Sequence, residues 1–211
     1  MPSSHSGRNI ISRSRFAFVV GLRSSGLWLF SGSALILLGV HIAEFLYPGY
    51  SVSKNYISDL GVGPTSSRAV FTAAIIVFGL MALVSSVLFR RSHPRSYMWL
   101  LLAASGIGAI GVGIFNEDSV PIIHALFAVM AFLFGNLAAV YSYRFVRPSL
   151  SYAFVLLGII GLAALALLAG NTYLGLGAGG MERMVFYPAM IWTLGFGAYL
   201  TGDEGSSTPG R

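Results

Sequence analysis

Long apolar runs alternate with short polar segments along this chain, and the alternation gives six runs. Each run is close to the roughly 20 residues that an α-helix needs to cross about 30 Å of hydrocarbon. The pattern therefore predicts an all-α, polytopic membrane protein built as a six-transmembrane-helix bundle. The predicted spans are residues 27–47, 69–89, 97–115, 120–143, 152–169 and 184–200.

The composition supports a bilayer as the solvent of this chain. Its 211 residues are 55% hydrophobic and only 9% charged, whereas an ordinary soluble domain has about 25% charged residues. There is no cysteine, which excludes disulfides and thiolate metal sites. The net charge of +6 comes from short basic clusters between apolar runs. This distribution favours the lipid bilayer as the partner and argues against nucleic acid.

The distribution of Lys and Arg predicts the orientation. With the N-terminus inside, the cytoplasmic segments hold ten of the 13 basic residues and the outer segments hold three, Lys54, Arg68 and Arg183. This positive-inside bias predicts cytoplasmic termini and a multi-pass protein of the cell membrane. The predicted divisions are a basic N-terminal segment of residues 1–25, a transmembrane domain of residues 26–201 and a flexible tail of residues 202–211.

This orientation gives a first testable prediction. We expect a topology reporter fused after Arg211 to be cytoplasmic, because the last basic segments face inward. The same reporter inserted near Ser53 should be external. The opposite pattern, or an odd number of spans, would contradict the predicted side of every polar segment described below.

Polar residues with possible chemistry gather where the first run ends. His41 and Glu44 are three positions apart, so on a helix they share a face, and an ionisable group inside a membrane is functional by default. The loop that follows carries Asn55, Ser58 and Asp59. Two interpretations stand for this loop: it binds a ligand or metal, or Ser58 and Asp59 only cap a short turn.

A second polar group lies at the short connection between the third and fourth runs. Asn116 and Glu117 end the third run, and His124 follows about one turn inside the fourth. Glu117 is either part of a site or a solvated loop charge. Arg183, in the last outer segment, is a further candidate to help close a site.

The motifs in these segments resemble a known family. An E-x-x-Y-P exit from the first helix is followed by N-Y-I-S-D-L-G, by G-I-F-x-E, and by a His seven residues beyond that Glu. This combination is similar to the domain-of-unknown-function 998 family of multi-pass membrane proteins of archaea and bacteria. The resemblance covers roughly residues 27–200 and implies six helices, with no established activity. The positions that carry it are Glu44, Asn55, Ser58, Asp59, Gly61, Gly113, Phe115, Glu117 and His124.

Two glycine-rich stretches need separate interpretation. Gly106-x-Gly108-x-x-Gly111 matches a dinucleotide fingerprint, but it lies inside an apolar run with no preceding strand. With Gly113 it instead predicts a small-residue packing face, through which copies of the chain could also associate. The second stretch, residues 175–180, predicts a flexible connection.

The candidate residues allow three functions of different classes. The first is a metal-dependent hydrolase of a lipid or amphiphile, with a divalent ion such as zinc held by His41, His124 and Glu44. Its catalytic groups would be Asp59, Glu117 and Ser58, assisted by Asn55, Asn116 and Arg183. The second is a transporter or binding protein for a small solute or lipid. The third is a structural or assembly subunit of a membrane complex.

Overall fold

The computed structural model describes residues 6–202, with side chains from residue 20 onward. Residues 1–5 of the predicted N-terminal segment and residues 203–211 of the predicted tail lie outside the described residues. Between residues 6 and 202 the chain forms six α-helices and no β-strand, as the apolar pattern predicts. The helices are α1 Ser6–Phe45, α2 Thr65–Ser92, α3 Met98–Ile114, α4 Pro121–Tyr141, α5 Pro148–Ala169 and α6 Gly177–Gly202.

Five of the six helices are long and apolar enough to cross a membrane, with α1 counted from Val20 to Phe45. The exception is α3, which has 17 residues and a length of about 26 Å at 1.5 Å per residue. Pro121 and Pro148 stand in the first turns of α4 and α5, where a missing N–H costs no helical hydrogen bond.

The helices form a closed ring in which each packs against its neighbours in sequence. Helix α1 packs against α6 to close the ring, and α4 also contacts α6 across it. The end where α1, α3 and α5 finish is called the site end here, and the opposite end is called the basic end. Separate apolar clusters fill the two halves: one surrounds Phe71 and Phe186 and includes Leu60, and the other surrounds Phe89 and Trp192.

The predicted starts differ most at α1, which begins at Ser6 rather than at residue 27, and next at α6. Helix α6 begins at Gly177 rather than at residue 184, so Glu182 and Arg183 belong to a helix and not to a loop. The prediction of a flexible connection is therefore wrong for Gly177–Gly180, which form the first turn of α6. Glycine depresses the hydropathy of this turn, yet the turn is ordered because it packs directly against the α1–α2 loop.

The predicted packing face on α3 is confirmed. A Cβ added at Gly106 would lie 2.8 Å from the carbonyl oxygen of Gly79 on α2, and one added at Gly108 would lie 2.4 Å from the backbone nitrogen of Ala131 on α4. The glycines thus allow α3 to approach both neighbours at backbone distance. These contacts lie within one chain and do not test the predicted association of copies.

Candidate functional site

The α1–α2 loop is held in shape by its own side chains. One carboxylate oxygen of Asp59, Oδ2, accepts hydrogen bonds from the Tyr56 backbone N–H and from Asn55 Nδ2, both at 2.9 Å. The other end of the Asn55 amide accepts from the Ser51 N–H at 3.0 Å. Asp59 and Asn55 therefore stabilise a turn, as the alternative interpretation of this motif predicted. A catalytic role for Asp59 stays a prediction.

Arg183 joins this loop to two helices. Its guanidinium forms an ion pair with Glu44 on α1, and the side chains are only 5% and 16% exposed, respectively. It also donates to the carbonyl oxygens of Val52 at 2.9 Å and Asn55 at 3.2 Å. Because a guanidinium presents several N–H groups in a fixed plane, one side chain satisfies loop carbonyls and the carboxylate together.

Tyr50 extends this arrangement. Its hydroxyl accepts from Arg183 at 2.8 Å and donates to the Tyr56 carbonyl oxygen at 2.7 Å. Burial raises the pKa of Tyr50 to about 12, although the hydrogen bond from Arg183 acts in the opposite direction. The phenol therefore stays protonated at neutral pH and keeps its donor role.

The first turn of α6 fits under the loop because three of its four residues are glycines. The Gly179 N–H donates to the Ser53 carbonyl oxygen at 3.1 Å. A Cβ at Gly179 would lie 1.9 Å from the Asn55 carbonyl oxygen, and one at Gly177, where φ is +77°, would lie 2.1 Å from that of Ser53. The glycines bring Arg183 and Glu182 against the loop.

Glu182 is the most deeply placed acid of the site end. Its side chain is buried at 5% exposure, and its Oε2 accepts a hydrogen bond from the Ile57 backbone N–H. Arg183, its neighbour in sequence, directs its guanidinium to Glu44 and the loop instead. Glu182 also lines a cavity inside the bundle.

This cavity is apolar with a polar end. Its volume is about 50 Å³. The polar groups are Ser58, His124 and Glu182 near the site end, with Ser105 deeper on α3. The remaining lining is apolar: Ile36, Ile57, Phe71, Ile75, Phe78, Ala109, Val112, Ala128, Ala131, Phe132, Phe186 and Met190.

His124 presents an acceptor at this end of the cavity. The ring is buried and its Nδ1 lies 2.8 Å from the Phe115 carbonyl oxygen. Because a carbonyl only accepts, Nδ1 carries the proton, and in the neutral ring Nε2 is left as an acceptor. His124 therefore lies inside the bundle, where the sequence places a candidate site residue.

The α3–α4 connection places Glu117 beside the α1–α2 loop. Ser58 Oγ donates to Glu117 Oε2 at 3.3 Å. Asn116 accepts from the Ser119 N–H at 3.1 Å through its side-chain oxygen, which holds the turn. Ser58 and His124 therefore line one end of one cavity, and Glu117 is hydrogen-bonded to Ser58, whereas Asn116 has a local role in the turn.

The predicted metal set is not brought together. His41 lies on the exposed face of α1 beside Leu38 and Ile42, while Glu44 is paired with Arg183. Among the side chains of residues 20–202, no three His, Asp or Glu groups lie close enough to hold a metal ion. The described residues therefore give no support to the prediction that His41, His124 and Glu44 form a metal site.

Sequence reasoning missed Glu182 as a site residue. A sixth run that begins at residue 184 leaves Glu182 in the segment before the helix. A signal was present: residues 177–181 are small or apolar and continue directly into the helix.

The fold shows the class of protein to which this chain belongs. Apolar helices of spanning length in a closed bundle make this an integral, multi-pass membrane protein. The chain belongs to the family described as protein of unknown function (DUF998), whose model matches residues 30–199. That range contains all the residues of the site. No curated protein and no solved structure matches the chain significantly.

Proposed function

We propose that this protein binds a small amphiphile, with the apolar part in the cavity and a hydrogen-bond-donating group, an amine or hydroxyl, at the polar end. The observation that carries the proposal is the buried Glu182 carboxyl group at the polar end of a largely apolar cavity. A buried carboxyl group is stabilised by hydrogen bonds or becomes neutral, and a donor on the ligand would add such a hydrogen bond.

The polar end selects the chemistry of the ligand. Glu182 and the Nε2 of His124 are acceptors, and Glu117 adds a carboxylate beside Ser58. The adjacent Arg183 is already engaged by Glu44 and the loop. An amine or alcohol therefore complements this end, whereas a carboxylate or phosphate would meet like charge.

The cavity wall selects the size of the ligand. The free space of about 50 Å³ is a few times the roughly 10–15 Å³ that holds one water molecule, so the cavity admits a narrow apolar group. The flexible Met190 side chain lies in this wall and adapts its shape readily. The ligand is thus expected to be small or to insert only one end.

Photolabelling tests this proposal. The purified chain in lipid nanodiscs would be irradiated with a short alkylamine that carries a diazirine, and the labelled peptides would be identified by mass spectrometry. We expect labels on cavity residues such as Phe132 and Met190. A carboxylate of the same chain length should label them at least several-fold less, because the cavity end is acceptor-rich.

Matched variants on α4 provide the control. Ala128 lines the cavity, whereas Ala125 is exposed on the outer face of the same helix. Ala128→Leu should remove cavity labelling and Ala125→Leu should leave it intact, with both proteins checked for an unchanged unfolding temperature. Equal labelling of the two variants, or no preference for the amine, would overturn the proposal.

Hydrolysis of the bound amphiphile is a second candidate, favoured by one observation. Ser58 Oγ donates to Glu117 Oε2 at 3.3 Å, which is the relation of a nucleophile to its base. If the protein hydrolyses a short-chain amide or ester, Ser58→Ala should abolish turnover and retain photolabelling. If the unaltered chain is labelled but shows no turnover, only the binding proposal stands. The transporter and assembly-subunit alternatives stay predictions.

A further inference from the structure

A groove at the basic end runs between α2 and α3, on the outside of the bundle. Its volume is about 630 Å³, within the range of sites for small molecules. Leu83 and Val87 on α2 and Ala103 on α3 form its apolar part, and Arg90 and Arg91 lie at its end. None of the described residues that line it is acidic.

The polar end of this groove is ordered. The guanidinium of Arg90 lies over the Trp99 ring, with 4.4 Å from Cζ to the ring centroid. Ser86 Oγ donates to the Trp99 backbone oxygen at 2.7 Å, which fixes the start of α3 to α2. Stacking uses the face of the guanidinium and leaves its N–H edge for a planar or tetrahedral oxyanion.

We propose that this groove binds an anionic phospholipid, with the phosphate group at Arg90 and Arg91 and one acyl chain along Leu83, Val87 and Ala103. The charged residues lie at one end of the groove and the apolar residues along the rest of it, as the headgroup and the acyl chain do in a lipid. Tryptophan is a typical residue of the membrane interface, so the phosphate lies at the depth expected for a headgroup. The site is separate from the cavity at the site end and does not depend on the proposed function.

Fluorescence quenching tests this inference on the full chain. Trp99 would report contact with brominated acyl chains in nanodiscs, and its signal would be isolated by subtracting the spectrum of Trp99→Phe. We expect brominated phosphatidylglycerol, present as a minor lipid, to quench Trp99 with about fivefold or greater preference over brominated phosphatidylcholine, since each basic residue near the surface contributes about that factor.

A second pair of arginines provides the control. Arg90→Gln with Arg91→Gln should remove the preference for phosphatidylglycerol. Arg95→Gln with Arg147→Gln removes the same charge from exposed positions at the same end that do not line the groove, and should retain it. If both double variants lost the preference for phosphatidylglycerol equally, the attraction would be a general one to an anionic surface and the proposed site would be overturned. The absence of any preference in the unaltered chain would also overturn it.

Discussion

Arg183→Gln is expected to destabilise the protein by about 3–5 kcal/mol, the usual effect of removing one partner from a buried ion pair. The variant leaves the Glu44 carboxylate without its cation and the carbonyls of Val52 and Asn55 without their donor. In a chain of this size the unfolding temperature should fall by roughly 10 °C. Thermal unfolding in detergent, followed by circular dichroism, measures the change.

A second arginine on the same side of the molecule serves as the control. Arg68 is exposed and donates one hydrogen bond, to the Val62 carbonyl oxygen at 2.9 Å, so Arg68→Gln should change stability by less than about 0.5 kcal/mol. Adding Glu44→Gln to Arg183→Gln should recover part of the loss, because the unpaired carboxylate is then removed. An Arg183→Gln variant as stable as Arg68→Gln would contradict the assigned role.

Gly179→Ala is expected to have the second large effect. A methyl group there would lie 1.9 Å from the Asn55 carbonyl oxygen and 2.7 Å from that of Val52. Both are backbone atoms, so the α1–α2 loop must move away from α6. We expect a loss of about 1–3 kcal/mol or more, as for other overpacked sites, and faster hydrogen exchange in residues 51–57, measured by mass spectrometry.

The matched glycine lies at the other end of the same helix. Gly202 has nothing within 4 Å of the position where a Cβ would stand, so Gly202→Ala should leave stability unchanged or raise it by up to about 1 kcal/mol through helix propensity. Exchange in the loop should not change in this variant. If the two substitutions gave equal exchange in residues 51–57, the close contact of loop and helix would not hold.

The helices were predictable because a bilayer leaves few alternatives. Backbone groups in hydrocarbon must be paired within the segment, so an apolar run of sufficient length is a helix. The start of α6 was harder to predict from the sequence. Four glycines between residues 175 and 180 resemble a flexible loop when hydropathy alone is considered. Only the contacts of Gly177 with Ser53 and of Gly179 with Asn55 show why the helix begins here.

The site was predictable in part. Ser58 and Glu117 meet because the α1–α2 loop and the short α3–α4 connection lie at the same end of the bundle, where His124 stands in the first turn of α4. The direction of His41 was not predictable, since positions three apart still differ by about 60° around a helix. That angle is enough to place Glu44 against Arg183 and His41 on the exposed face, because apolar residues occupy both faces of α1.

The ring closed by α1 and α6 also sets the order in which the protein can be assembled. The α1–α2 loop is made early in synthesis, yet the arginine that satisfies its carbonyls and the glutamate that accepts from Ile57 both lie on the last helix. Because the chain is synthesised from the N-terminus onward, Glu44 has no ion-pair partner until α6 has entered the membrane. A nascent chain that lacks α6 therefore has the helices of the bundle but no completed site, and maturation of the site coincides with insertion of the final helix.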